Sequence, residues 1–552
     1  MQSKAFPYIF LASVCLLLFA LSAAEGQTST ATLRGTVTDP KGSIIPRATV
    51  KAQSEDTGLV RMAVTEESGL YVFNFLPVGK YVVTVSAQGF KGARLQNIIV
   101  EIGQTRTLDL ELEVGAVEQT VEVTESAPPL ERESAVIGTV VQSQQIKELP
   151  LNGRNWAGLM LLAPGAINTG EGNHLSIRFV GRSRDDNNWS FDGIDSTGVK
   201  DPRQEASLRL VISMDSISEF RVNSTLYSAD SGGGAGGQVQ VVSRNGTNKF
   251  RGSVFDFLRN DAFDARVFVD QGELPPFRMN QFGANVGGPI ARDKTFFFFN
   301  YEGIRQTQGQ TFISAVPNAA TRASVAAAAP ALAAVVNAYP RGTRSRNATT
   351  DDAVVARTFQ TREDSAALRF DHRFSDKNSL YARYSVDDGV LRVPLDAGDG
   401  LRTDRVRPSN FVLQFQRIFS PTVINEAKLG FNRSPLTRIN SGPFLEQFSV
   451  SGFMTLNRNQ EVTEAGTSFS FVDNLSLIRG RHNLRVGGEA RRIDAVGQRH
   501  RVRGALAGVQ LHAHYAPIAH RKVRDARAGV RLRRGLTDRR RGDRAFAGGG
   551  SA

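Results

Sequence analysis

Apolar and polar residues alternate along most of this chain. The clearest alternation begins at Phe250. Nine segments follow it with period two: Phe250–Leu258, Asn280–Gly287, Thr295–Arg305, Ser365–Phe374, Leu380–Val386, Asn410–Phe419, Val423–Asn432, Ser468–Ile478 and Asn483–Arg492. Successive side chains of a strand point to opposite faces, so period two predicts strands with one apolar and one polar face. Many of these segments are about 10 residues long, enough to span a bilayer as a tilted barrel strand. Short turns join three pairs, at Ser375–Asn378, Ser420–Thr422 and Arg479–His482. Longer segments separate the pairs, at Gln306–Thr361, Asp387–Pro408 and Ser434–Gly466. Short turns on one side, long loops on the other and aromatic strand ends (Phe296–Phe299, Tyr301, Tyr381, Tyr384) are the pattern of a membrane barrel.

Before Phe250 the pattern differs. Ala31–Gln53, Ser68–Phe90 and Thr107–Val114 alternate over shorter stretches, with turns at Asp39–Gly42, Pro77–Gly79 and Gln88–Gly89. Short strands with frequent turns predict a β-sandwich over residues 28–114. Val117–Val123 reads as one more strand and Pro128-Pro129 as a linker. Residues 115–249 read as mixed α/β. Short helices are expected at Gln142–Leu149 and Trp156–Leu162, and strands at Leu175–Val180, Asn188–Asp192, Ile217–Asn223 and Gln238–Ser243. Ala319–Ala338, interrupted by Pro330, predicts a broken helix within a loop. The expected fold is mainly β: an N-terminal β-sandwich, a mixed α/β unit, then an incomplete antiparallel transmembrane β-barrel over 250–498.

Composition changes the picture at both ends. Lys4, the apolar run Ile9–Leu21 and the small residues Ser22-Ala23-Ala24 predict an export signal over 1–24, cleaved after Ala24. Cys15 is the only cysteine, so the exported chain has no disulfide, cysteine–zinc site or cysteine nucleophile. The net charge of +13 suggests nucleic-acid binding until it is mapped. Residues 499–552 hold 13 Arg, 1 Lys and 3 Asp, a balance of +11, which leaves +2 for residues 1–498. The basicity therefore belongs to the tail, and no nucleic acid is expected as a partner. Alternation stops at Arg499, and the Arg/Ala/Gly-rich composition beyond it is that of out-of-frame translation or a disordered arm.

The body offers no catalytic constellation. Ser231–Gly237 is glycine-rich, yet no Lys-Ser/Thr follows and a strand comes next, so structural glycines are expected and not a phosphate loop. Asp185, Asp186, Asp192, Asp195 and Asp201 match no calcium-loop spacing; turns and internal hydrogen bonds are the favoured use. His174, His372 and His482 are scattered and form no HExxH pair. No catalytic residue, metal site or cofactor is predicted, and the residues that would bind a ligand are unknown.

Long ordered motifs remain: LPLNGRNW from Leu149, NNWSFDGID from Asn187, DSISEFRV from Asp215, SGGGAGGQVQVVSRNGTNKFRG from Ser231, and PPFRMNQFGANVGGPI with DKTFFFFNYEGIR ending at Arg305. Together they resemble TonB-dependent outer-membrane receptors of the Oar-like kind. The earlier GTVTD, SGLYVF, LPVGKYVVTV pattern resembles the carboxypeptidase regulatory-like domain, a transthyretin-like sandwich without catalysis. The resemblance covers roughly residues 28–495. It implies that 115–249 is a plug inside a barrel that in this family has about 22 strands. It also implies energy-coupled uptake of a bulky solute across the Gram-negative outer membrane, with outer-membrane lipid and a periplasmic TonB-type protein as partners. VEQTVEVTES (Val117–Ser126) is at best a degenerate TonB box, and a connecting strand is the favoured reading. Nine candidate strands are too few to close such a barrel, so a truncated receptor is expected. The alternative is a secreted or surface β-rich protein, an adhesin or a carbohydrate- or peptide-binding module.

Overall fold

In this computed structural model the described residues are 29–115, 120–124, 135–169, 176–197, 212–227, 234–266, 274–480 and 482–501. The expected export signal, the Pro128-Pro129 linker, His174, Asp201 and nearly all of the basic tail lie outside them.

The N-terminal region forms nine strands: β1 (Ala31–Thr38), β2 (Thr49–Ser54), β3 (Val60–Val64), β4 (Leu70–Leu76), β5 (Gly79–Ser86), β6 (Gly92–Val100), β7 (Thr105–Thr107), β8 (Leu110–Glu111) and β9 (Thr120–Thr124). One sheet runs β4-β1-β7, with β8 also on β1; the other runs β3-β2-β5-β6-β9. Leu33, Val37, Val50, Tyr71, Tyr81, Val83 and Ile98 fill the space between them. Both buried tyrosines satisfy their hydroxyls, Tyr71 on the Leu108 carbonyl at 2.5 Å and Tyr81 on that of Pro77 at 2.7 Å. β9 adds parallel to β6, with Gly92 opposite Thr120. The second sheet thus continues past Val114 and takes up the middle of the VEQTVEVTES segment.

The middle region contains β10 (Ile137–Gln142), α1 (Ser143–Glu148), two 3-10 turns (Asn152–Arg154, Trp156–Leu162), β11 (Ala166–Asn168), β12 (Ile177–Phe179), β13 (Asn188–Phe191), β14 (Ile194–Asp195), β15 (Ile217–Thr225) and β16 (Gln238–Ser243). Five strands order as β10-β15-β16-β13-β14, while β11 and β12 pair separately. Trp156 anchors the core against Phe220 at 5.2 Å and Trp189 at 6.3 Å, both edge-on. Glycines end in close packing here: a Cβ on Gly237 would fall 2.2 Å from the Phe179 ring.

The third region is one antiparallel sheet: β17 (Arg251–Asn260), β18 (Phe277–Ala291), β19 (Thr295–Pro317), β20 (Arg344–Ser345), β21 (Thr350–Ser375), β22 (Asn378–Pro394), β23 (Leu401–Val406), β24 (Ser409–Ser420), β25 (Val423–Ser441), β26 (Gln460–Arg479) and β27 (His482–Arg501). The order is β17-β18-β19-β21-β22-β23-β25-β26-β27; β24 shares the place between β22 and β25, and β20 lies on β21. β17 and β27 do not pair, so the sheet is open. All nine predicted strands are present, and β27 runs to Arg501, past Gln498. The predicted loops are largely strand: β19 and β21 stay paired from Thr295 opposite His372 to Pro317 opposite Thr350. Residues 387–408 likewise hold the end of β22 and all of β23. The broken helix is present as α2 (Ala319–Ala328), a 3-10 turn at Pro330–Leu332 and α3 (Ala333–Asn337).

Register fixes two faces. Val286, Phe299, Leu368, Tyr384, Phe411, Phe431 and Phe469 line up across seven strands. The next row toward the short turns is Phe297, Phe370, Ala382, Leu413, Leu429 and Phe471. Five of the first row, including Phe299 and Leu368, are exposed, as are Phe370, Leu429 and Phe471 of the second. This outer face is apolar where a soluble protein would be polar. The inner face is polar and covered: Gln281, Asn300, Glu302, Arg383, Asn410, Glu426, Lys428 and Asn474 are all buried. Among the described residues no helix is long and apolar enough to cross a membrane.

Candidate functional site between the middle region and the sheet

The middle region is fastened to the inner face at two places, and the resemblance motifs supply both. The first is LNGR. Gly153 (φ 63°) and Arg154 (φ 54°) turn the backbone left-handed and send Arg154 into the junction. Its Nε donates to Glu302 Oε1 at 3.0 Å, and Nη2 donates to Asp215 Oδ2 at 2.7 Å. The guanidinium lies 4.0 Å above the Phe255 ring and 5.5 Å from that of Phe257. Glu302, on β19, has no exposed side-chain surface. It also accepts from the Ser213 hydroxyl and from Gln281 Nε2 at 2.7 Å. Alongside it, Ser216 donates to Asn300 at 3.1 Å.

The second place is FDGID. Asp192 (φ 53°) and Gly193 (φ 77°) form the two-residue turn between β13 and β14. Asp192 Oδ2 accepts from Arg383 Nε at 2.8 Å, and Oδ1 accepts from the Ser243 backbone N–H at 2.8 Å. Burial opposes its charge, but the guanidiniums of Arg383 and Arg369 together with the Ser243 bond hold the carboxyl below its usual range. Arg383 also donates to Asn410 Oδ1 at 2.6 Å and to Ser385 Oγ at 3.1 Å, and stacks 3.7 Å above Phe191. Lys428 Nζ lies 3.3 Å from the Asp192 carbonyl and 3.1 Å from Glu426. Next in the turn, Ile194 packs on Val412 and Val472. Gly430 leaves it room, since a Cβ there would sit 2.5 Å from Ile194.

Asp186, Asp192 and Asp195 make separate contacts. Asp192 pairs with Arg383, Asp195 with Arg491, and Asp186 accepts from the Ser183 N–H at 3.3 Å. His372 shares a 2.9 Å hydrogen bond with Thr295 on the sheet. Among the described residues no three His, Cys, Asp or Glu side chains are close enough to hold a metal.

The sandwich docks across the short-turn end. Asn74 donates to Ser476 at 2.7 Å and to Asn483 at 2.8 Å, while Arg485 donates to Asn74 at 3.0 Å and to Thr32. Gln416 donates to the Phe75 carbonyl at 3.1 Å and accepts from Arg61. Toward the middle region, Glu219 accepts from the Ile102 N–H at 2.5 Å, Arg221 donates to the Ile102 carbonyl at 3.3 Å, and Gln142 donates to Glu101. Burial pushes the Glu219 carboxyl up to about 8; the Ile102 bond opposes this and Glu101 reinforces it. Sequence reasoning missed the partner residues Glu302, Arg383, Lys428 and Glu219. Their only signal was a charged residue at an inward position of an alternating strand.

Residues 242–508 match the outer membrane beta barrel domain, and residues 32–113 match the carboxypeptidase regulatory-like domain. The chain is 27% identical over 303 residues to the TonB-dependent transporter Oar of Myxococcus xanthus, which is 51% of this chain and 27% of that protein. It thus spans about a quarter of the curated relative it matches. Among solved structures, it is similar to the outer membrane transporter YddB from Escherichia coli, with 11% identity, TM-score 0.46, 65% of this chain and 48% of that one. It is also similar to the siderophore receptor PirA from Acinetobacter baumannii, with 15% identity, TM-score 0.44, and 66% and 48% coverage. The barrel domain and the relative place the chain in the Gram-negative outer membrane.

Proposed function

We propose that this chain, a homologue of the TonB-dependent transporter Oar, takes part in energy-coupled uptake of a bulky solute and performs no covalent chemistry. Residues 115–249 act as the plug and 250–498 as barrel wall. Barrel closure needs more strands than those between β17 and β27, because an unpaired edge in lipid leaves backbone groups unsatisfied. The sandwich stands on the periplasmic side, where a TonB-type protein would pull.

One observation carries the reading: the plug is held chiefly by buried polar contacts, Arg154–Glu302 and Asp192–Arg383, beside one small apolar contact of Ile194 on Val412 and Val472. Buried ion pairs add little net stability over apolar packing, yet they fix one arrangement. Such a junction is specific and can be exchanged for water. With Cys15 removed by signal cleavage, Ser190→Cys provides a single thiol, buried in the resting state. A membrane-impermeant maleimide should label it faster in energised cells than in cells lacking the energy-transducing protein. Equal labelling in both would count against coupled uptake.

A further inference from the structure

Lys428 is a cation shared by three parts of the molecule. Its side chain has no exposed surface. The ammonium donates to the Asp192 carbonyl at 3.3 Å and to the Ser29 hydroxyl at 3.4 Å, and lies 3.1 Å from Glu426 on its own strand. Ser29 and Thr30 directly precede β1, and both are buried. The Thr30 carbonyl accepts from the Gly103 N–H at 3.1 Å, which ties this strap to the sandwich. One ammonium therefore touches the sandwich, the middle region and the sheet.

β25 is shaped for that meeting. Glu426, Lys428 and Gly430 are successive inward positions. Glu426 supplies the countercharge, Lys428 reaches the Asp192–Gly193 turn, and Gly430 leaves room for Ile194. Val472, opposite Lys428 on β26, is part of the seat of Ile194. An ammonium carries three donors and no acceptor. Where no water reaches, it cannot lose a partner without a penalty, so its partners depend on one another. Another seat lies across the ladder. Gln414 on β24 stands opposite Lys428, and its buried Oε1 has no hydrogen-bond partner among the described residues.

We infer that Lys428 is a positioning residue that couples the sandwich to the Asp192–Gly193 turn. With Ser29 in place, the ammonium holds the Asp192 carbonyl. With the strap withdrawn, the ammonium turns toward Gln414 and lets the turn go. The two arrangements share one cation, so the coupling is reciprocal: loosening the turn also loosens the strap. The sandwich then has two routes into the middle region. One is direct, through Ile102, Glu219 and Arg221; the other passes through the wall of the sheet at Lys428. The inference concerns this joint alone and does not depend on solute uptake, so each can fail without the other.

The test is backbone hydrogen exchange, read by mass spectrometry on the full chain in neutral detergent. Ser29→Ala should speed exchange over Phe191–Asp195 by roughly three- to tenfold, the margin of one hydrogen bond. Ser29→Thr keeps the hydroxyl and should keep the slow exchange. Exchange over Ile217–Val222, which meets the sandwich by the direct route, should not change in either variant. Lys428→Met should speed exchange in the turn by itself, and adding Ser29→Ala to it should bring no further rise. An unchanged turn in Ser29→Ala, an equal rise over Ile217–Val222, or a further rise in the double variant would overturn the inference. Should Lys428→Met misfold, the comparison of Ser29→Ala with Ser29→Thr on the unaltered lysine still decides.

Discussion

Arg154 shows how one side chain can hold two domains. It bridges Glu302 and Asp215 while its flat face covers Phe255. Arg154→Ala leaves Glu302 buried without its cation, which should cost about 3–5 kcal/mol. Arg154→Lys should recover only part of this, because an ammonium cannot fork between two carboxylates and stack on a ring at once. Urea unfolding followed by Trp156 and Trp189 fluorescence reads both. Glu219 gives a pH signature. Its folded carboxyl titrates near 8 against an ordinary 4.5, so the folded state holds a proton that the unfolded chain has released. Stability should therefore fall as pH rises from about 4.5 to about 8 and level off above. Glu219→Gln keeps an acceptor for the Ile102 N–H and should flatten that slope, with its gain largest at pH 8 and absent near pH 4. A variant whose stability keeps the original slope would show that other groups set it. LNGR and FDGID could be read from the sequence as motifs. Glu302 and Arg383 could not, since nothing local marks which inward charge meets which plug residue.

At the scale of elements, alternation located every long strand but not its outer end. Within the membrane one face must be apolar, and period two follows. Beyond it both faces of β19 and β21 meet water or other loops, so Gln306–Gln310 and Thr350–Thr361 lose the pattern while keeping the backbone ladder. The small strands β10, β11 and β14 escaped for a related reason: short pieces of a covered unit show no period. The outer face makes a clear prediction. Leu429→Arg lies in the apolar band and should destabilise the sheet by about 2–4 kcal/mol. Thr422→Arg, in the adjoining short turn, should cost close to nothing. Unfolding midpoints in lipid vesicles distinguish them; equal values would mean that this face does not meet lipid.

Across the whole molecule, the sandwich is tied to the sheet through Asn74 and Gln416, and to the middle region through Glu219. Asn74→Leu should strand Asn483 and Arg485 and loosen the sandwich, so that limited proteolysis releases it faster. An unchanged cleavage rate would mean the contacts at Ile102 suffice alone. The sandwich itself was legible in its turns and short strands, but its docking was not, because those contacts join residues about 400 positions apart. That separation has a kinetic meaning. The N-terminal domain emerges first from synthesis and can fold at once, yet Asn74 finds its partners only when Ser476 on β26 and Asn483 on β27 are in place. Contacts this distant in sequence form late. The first domain made is therefore fastened to the sheet only late, and that docking reports that β26 and β27 have been laid down.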